Sequence, residues 1–225
     1  MIHQFFDDIV PHPEGIDPEF DLIHERAYVV RAYRKDDSTL VLRGAVRDQK
    51  PPGLYVANDP EPLTVHHMIV DLEIRVPDLE IIGARAALEV HPHASCPTIE
   101  QHYAKLVGLS ITRGFTHKVR ELFGGPRGCT HTTALLQAMA PVAIQSMWSF
   151  RVKASRENNP GGPDFSSPES RQQAMMMNLN TCHIGAEDGE QVRSIRAGEP
   201  MEVPVWIVKR FEQLGLDPTT WRNSD

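Results

Sequence analysis

Cysteine is scarce in this chain. Cys96, Cys129 and Cys182 are the only three in 225 residues, an odd number at wide spacing, so a disulfide framework is not expected. Long apolar runs are missing too: no stretch approaches roughly 18 apolar residues free of charge and proline, which excludes a membrane-spanning helix. The opening Met1-Ile-His-Gln-Phe-Phe-Asp-Asp8 lacks the charged and apolar regions of a signal peptide, and a cytoplasmic protein is expected. Positive charge is short as well. Lysine and arginine number 23 against 30 aspartates and glutamates, for a net charge of −7, and no basic run forms, which argues against a nucleic-acid surface. Histidine, at 11 residues, is plentiful. No pair has the spacing of a zinc knuckle or an HExxH helix, so no metal is assigned.

What is present is material for a core, with 40% hydrophobic residues. Residues 1–24, carrying Pro11, Pro13, Gly15 and Pro18, read as an N-terminal arm; 25–200 as one domain; and 201–225 as a C-terminal helix and tail. Period-two alternation predicts four strands. Arg26 to Arg34 and Thr39 to Asp48 form a hairpin about Lys35-Asp-Asp-Ser38, and Val65 to Val76 and Leu79 to Val90 form a second about Pro77-Asp78. Between the hairpins, the proline-rich Lys50 to Leu63 reads as a loop.

Helices follow: Thr98 to Val107, Thr116 to Phe123, and a long one from about Arg127 to Val152. The long helix carries Leu135, Leu136, Met139, Ala140, Ala143, Ile144, Met147, Trp148 and Phe150, and is expected to be buried. Another helix opens at Ser167-Pro168-Glu169, and the Cys182-His183 pair near its end is expected to pack. A short strand near Val192 to Arg196 and a helical Val203 to Leu214 close the chain. Strands first and helices afterwards predict an α+β fold: an antiparallel sheet of about four strands covered by helices, one of them long, central and buried.

The strand phase points to chemistry. Leu40, Leu42, Gly44 and Val46 share a face with Asp48 and, if the strand continues, Lys50; His66 is in phase with Met68, Val70, Leu72 and Ile74. Two ionisable groups thus face the core near strand ends, where partners and perturbed pKa values are found. Gly124-Gly-Pro-Arg-Gly-Cys-Thr-His131 leads into the long helix, placing Cys129, Thr130 and His131 at its amino end, where N–H groups favour anions. His66, His131 and Asp48 are the candidates for proton transfer. Lys50 and Tyr103 are candidate donors to a phenolate. Cys129, Thr130, Met139, Met147 and Trp148 are candidate substrate contacts in a mostly apolar site suited to a flat molecule. Each has a structural reading beside it, above all a satisfied core histidine at His66 and a turn or salt-bridge role for Asp48.

Cys96-Pro97, Leu106-Val-Gly-Leu-Ser-Ile-Thr-Arg-Gly-Phe115, Gly128-Cys-Thr-His131 with Gln145, and Asn180-Thr-Cys-His183 together resemble a bacterial family known as domain of unknown function 2889, over roughly residues 25–197. Where that family's third strand opens His-Asp-Met, this chain has His66-His67-Met68, so His67 departs from the pattern. The resemblance implies breakdown of aromatic compounds: a cofactor-independent lyase on lignin-derived aromatic dimers that releases a side-chain carbon as formaldehyde. Two other functions fit the residues. One is a cysteine-dependent thioesterase or acyl hydrolase of aromatic or steroid catabolism, in which Cys129 and His131, two apart on one helix, are not expected to face each other. The other is a small-ligand binding protein without turnover. The arm and the apolar stripe Val205, Trp206, Val208 and Phe211 point to a homo-oligomer.

Overall fold

The computed structural model describes residues 21–76, 78–112, 114–158, 167–176, 178–199 and 202–221. Residues 1–20 of the proposed N-terminal arm and the Pro77 half of the second turn lie outside them. Four strands, β1 (Glu25–Arg34), β2 (Thr39–Lys50), β3 (Leu63–Arg75) and β4 (Glu80–Val90), form one antiparallel sheet in the order β1-β2-β3-β4. The pairing is a meander, each strand bonded to its sequence neighbour.

Alternation divides the two faces of the sheet. Leu40, Leu42 and Val46 of β2, Met68, Val70, Leu72 and Ile74 of β3, and Ile81, Ala86 and Leu88 of β4 are all buried. Burial of each large aliphatic side chain stabilises by about 1.5–3 kcal/mol, so this face drives the sheet together. The other face carries ion pairs such as Arg43 with Asp71 at 2.6 Å and Lys35 with Glu73 at 3.0 Å. Exposed pairs of this kind are worth at most about 1 kcal/mol each and serve chiefly to keep that face wet.

The chain divides into two compact units, Met1–Gln145 and Ser146–Asp225. In the first, a 3₁₀ segment, Cys96–Leu106, stands where an α-helix from Thr98 is predicted. It opens earlier, with Pro97 at the start and the Thr98 hydroxyl returned to the Ser95 carbonyl at 2.7 Å. Helix α1 spans Phe115–Phe123, and one 3₁₀ turn, Gly125–Arg127, separates it from α2, Thr130–Asn158. The long helix therefore starts three residues later than Arg127, the sequence-based expectation.

Helix α2 approaches the sheet at Gly44. A Cβ there would lie 2.7 Å from Met139 Sδ and 3.1 Å from Leu135 Cδ1, so any larger residue would have to displace the Met139 side chain. Leu135, Leu136, Met139 and Ala143 have no exposed surface, while Pro141 and Gln145 face outward.

In the second unit, α3 (Pro168–Met176), α4 (Glu190–Arg196) and α5 (Val205–Leu214) are present. Ser167 caps α3, its Oγ accepting from Ser170 N at 3.1 Å. The segment read as a strand near Val192 is helix α4. Val192 and Ile195 are spaced for one helical face and bury together against Met175, which strand alternation does not allow. Cys182 and His183 are exposed, not packed. No helix among the described residues is long and apolar enough to cross a membrane.

Candidate active site

Two strands, the residue before the first of them and one helix deliver basic side chains to a single buried carboxylate on β2. Arg26 of β1 is the register partner of Asp48, and Asp48 is the partner of His66 on β3, so the three stand side by side across the sheet. Asp48 is 2% exposed. Arg26 grips it with both arms of the fork, Nε to Oδ1 at 2.6 Å and Nη2 to Oδ2 at 2.7 Å. His131 of α2 brings Nε2 to 3.0 Å from Oδ2. Nδ1 of His66 lies 3.3 Å from the same oxygen without alignment for a hydrogen bond, and Nε2 of His24 lies 3.8 Å from Oδ1. The rings of His66 and His131 stack, centroids 3.9 Å apart and 26° from parallel. A register shift after Asp48 marks where the regular ladder gives way at this end of β2.

The amino end of α2 is built by close packing and by one tyrosine. A Cβ on Gly128 would lie 2.6 Å from the carbonyl oxygen of Phe123 and 2.9 Å from its Cβ, so the chain can pass this close to α1 only as glycine. Thr133 Oγ1 donates to that same carbonyl at 3.2 Å. The carbonyl of Cys129 accepts from Thr133 N at 2.9 Å, which makes Cys129 the residue that caps the helix. Its own N–H donates to the hydroxyl of Tyr103 at 2.8 Å. Tyr103 is fully buried, stacks on Phe123 at 4.8 Å, and so pins the start of α2 to the segment before α1.

Because Cys129 precedes the helix, its side chain is not bound by helical spacing. Its Sγ lies 3.9 Å from His131 Nδ1. The expectation that these residues turn away from each other holds for two helical positions; a capping residue with non-helical backbone swings its side chain over the first turn.

The electrostatics assign the roles. Burial pushes the Asp48 carboxyl up, but the Arg26 hydrogen bonds and charge, with His131 and His24, outweigh it and hold Asp48 at about 2. Asp48 is therefore an ionised acceptor, and Nε2 of His131 carries the proton between them. His131 is itself lowered from its usual value, first by burial, then by the neighbouring His66, against the pull of Asp48. It stands neutral near pH 7 with Nδ1 as a free base. Burial raises the Tyr103 hydroxyl, which stays protonated.

Asp48, His66 and His131 offer ligand atoms within 4.8 Å of one another, a set that could hold a metal ion among the described residues. Arg26 already neutralises the carboxylate through both oxygens and would oppose a dication beside it.

The sequence-based candidates divide. His66, His131 and Asp48 come together, with Cys129 against His131. The Tyr103 hydroxyl is bonded to the Cys129 backbone, a supporting place beneath the helix start. Lys50 ends β2 with Nζ 5.5 Å over the ring of Tyr55. Thr130 is exposed at the first turn, and Met139 is wholly buried over Gly44. Met147 and Trp148 fall in the second unit, where Trp148 Nε1 donates to Asn178 Oδ1 at 3.4 Å. Arg26 and His24 were missed. Counting back from the Lys35–Ser38 turn puts Arg26 opposite Asp48, so the hairpin register held the signal.

The comparison with known families falls on this same segment. The chain belongs to the DUF2889 family. That family's model, described as a protein of unknown function, matches residues 24–145 and so contains every side chain around Asp48. The match ends at Gln145, where the first compact unit ends. No curated protein and no solved structure matches the chain.

Proposed function

We propose that this DUF2889 protein is a general acid/base enzyme, a cofactor-independent lyase that acts on lignin-derived aromatic dimers and releases a side-chain carbon as formaldehyde. The observation that carries the reading is His131, neutral and oriented by an ionised Asp48 through Nε2, with Nδ1 left to take a proton. In the proposed reaction Nδ1 removes the proton of a primary alcohol on the substrate. The C–C bond to that carbon breaks, formaldehyde departs, and the electron pair forms a new C=C bond as an aryloxide leaves from the neighbouring carbon. The aryloxide takes up the proton from His131, so atoms and charge balance with no oxidant. Asp48 steadies the imidazolium formed midway, and the stacked His66 favours its rapid return to neutrality.

The aromatic substrate class comes from the family resemblance. A small aromatic substrate, a cytoplasmic setting and self-association complete the reading. Val205 and Trp206 of α5, 70% and 67% exposed, supply an apolar surface for association, to be checked by sedimentation velocity.

The test is incubation of purified protein with methoxyphenol dimers bearing a primary alcohol, with formaldehyde measured by colorimetry and products by mass spectrometry. The reading requires one formaldehyde per dimer and its loss in His131→Ala. Dimer that binds but is recovered unchanged would replace it with a small-ligand binding role.

A further inference from the structure

The thiol, the imidazole and the carboxylate lie in line. Cys129 Sγ is 3.9 Å from His131 Nδ1, and His131 Nε2 is 3.0 Å from Asp48 Oδ2. A nucleophile, a base within reach of it and a third group that orients the base make up the constellation of thiol acyl transferases and hydrolases, and a separation near 4 Å for sulfur is common before substrate tightens it. Cys129 is half-buried. The cap position adds a second element: the backbone N–H groups of the first turn of α2, which follow Cys129 directly in the chain, have no acceptor within the helix. A developing oxyanion there would meet donors already in place.

We propose that Cys129, His131 and Asp48 form a nucleophilic triad that gives the site a second activity, transfer and hydrolysis of the acyl group of an activated ester or thioester. The thiol gives its proton to His131 Nδ1 as sulfur bonds to the acyl carbon. The bond from that carbon to the leaving oxygen or sulfur breaks, and the leaving group takes the proton from Nδ1. Water, deprotonated by the same nitrogen, then attacks the acyl-cysteine, releasing the acid and restoring the thiol. Asp48 is a positioning residue in both halves. This inference shares His131 with the lyase reading but needs none of its chemistry, since formaldehyde release uses Nδ1 and no thiol.

The experiment is incubation of the full chain with p-nitrophenyl acetate, following nitrophenolate release and mapping the acetyl group by peptide mass spectrometry. The triad requires a burst of nitrophenolate and acetyl on Cys129. The adduct should be absent from Cys129→Ala, and its formation slowed about 10²-fold or more in His131→Asn. Acetyl confined to Cys96 or the exposed Cys182, or acylation of Cys129 at an unchanged rate in His131→Asn, would overturn it. Should His131→Asn fail to fold, alkylation of the wild-type protein by iodoacetamide decides. Half-buried Cys129 must react faster than exposed Cys182, and slower or equal reaction would overturn the triad. Failure here leaves the formaldehyde test standing, and the reverse holds as well.

Discussion

Oδ2 of Asp48 lies 3.0 Å from Nε2 of His131, a residue 83 positions further along the chain. The sheet supplies the carboxylate and its arginine, the helix supplies the base, and Gly128 and Tyr103 set where the helix begins.

Asp48→Asn keeps the shape and removes the charge. His131 loses the acceptor that fixes its tautomer, so formaldehyde release should fall by about 10²–10⁴-fold. Arg26, a third exposed, loses its carboxylate partner, and urea denaturation should show a loss of about 1–3 kcal/mol, below the figure for a fully buried pair.

Stability should depend on pH in two windows. The Asp48 carboxyl is held at about 2 against a usual 3.8, so its contribution, on the order of 2 kcal/mol, is complete above pH ~4 and is lost as pH falls toward 2. Thermal melts between pH 5 and 2 (roughly the window of that linkage) should show the loss in wild type and a smaller one in Asp48→Asn. His131, lowered below its usual 6.5, makes the unfolded chain the better proton acceptor, so stability also falls as pH drops below 6.5 toward its folded value.

The same shift governs the rate. The acidic limb of kcat/KM should lie below pH 6.5, because the working form of His131 is neutral. His66→Ala removes a repelling charge and admits water, so the limb should move to higher pH. An unmoved limb would remove His66 from the electrostatics of the site.

Tyr103→Phe should act on stability more than on chemistry. The half-buried N–H of Cys129 loses its acceptor at a cost of about 1–3 kcal/mol, or roughly 2–12 °C in Tm by calorimetry for a chain of this size. A residue that donated to bound phenolate would instead lower kcat with the Tm unchanged.

Gly128→Ala places a Cβ 2.6 Å from a backbone oxygen that cannot yield like a side-chain tip. The helix start must shift, so both Tm and the Asp48–His131 contact should suffer, with stability reduced by about 1–3 kcal/mol. Gly53→Ala, a glycine in the β2–β3 loop with no heavy atom within 4 Å of its Cβ, is the control for a clash; only its positive φ should tell.

Much of this arrangement was legible beforehand. Strict alternation sets the faces of β2 and β3, so Asp48 and His66 fall on the core side, Asp48 buried and His66 about a quarter exposed. The glycine-rich approach to Cys129 and His131 marked the helix start. Arg26 was readable from hairpin register but is an arginine on an edge strand, a residue type usually left in water. The Asp48–His131 meeting could not be read, because no local periodicity encodes how a helix lies across a sheet; Gly44, where Met139 and Leu135 of the helix come close, looked like an ordinary strand residue. The Cys129–His131 contact depended on one residue of helix boundary, beyond the reach of composition and spacing.

The most direct measurement is a ¹⁵N-imidazole NMR titration of the wild-type protein. His131 should carry its proton on Nε2, facing Asp48, and take up a second only below pH 6.5. A resting proton on Nδ1, or titration at or above 6.5, would refute the role assigned to His131.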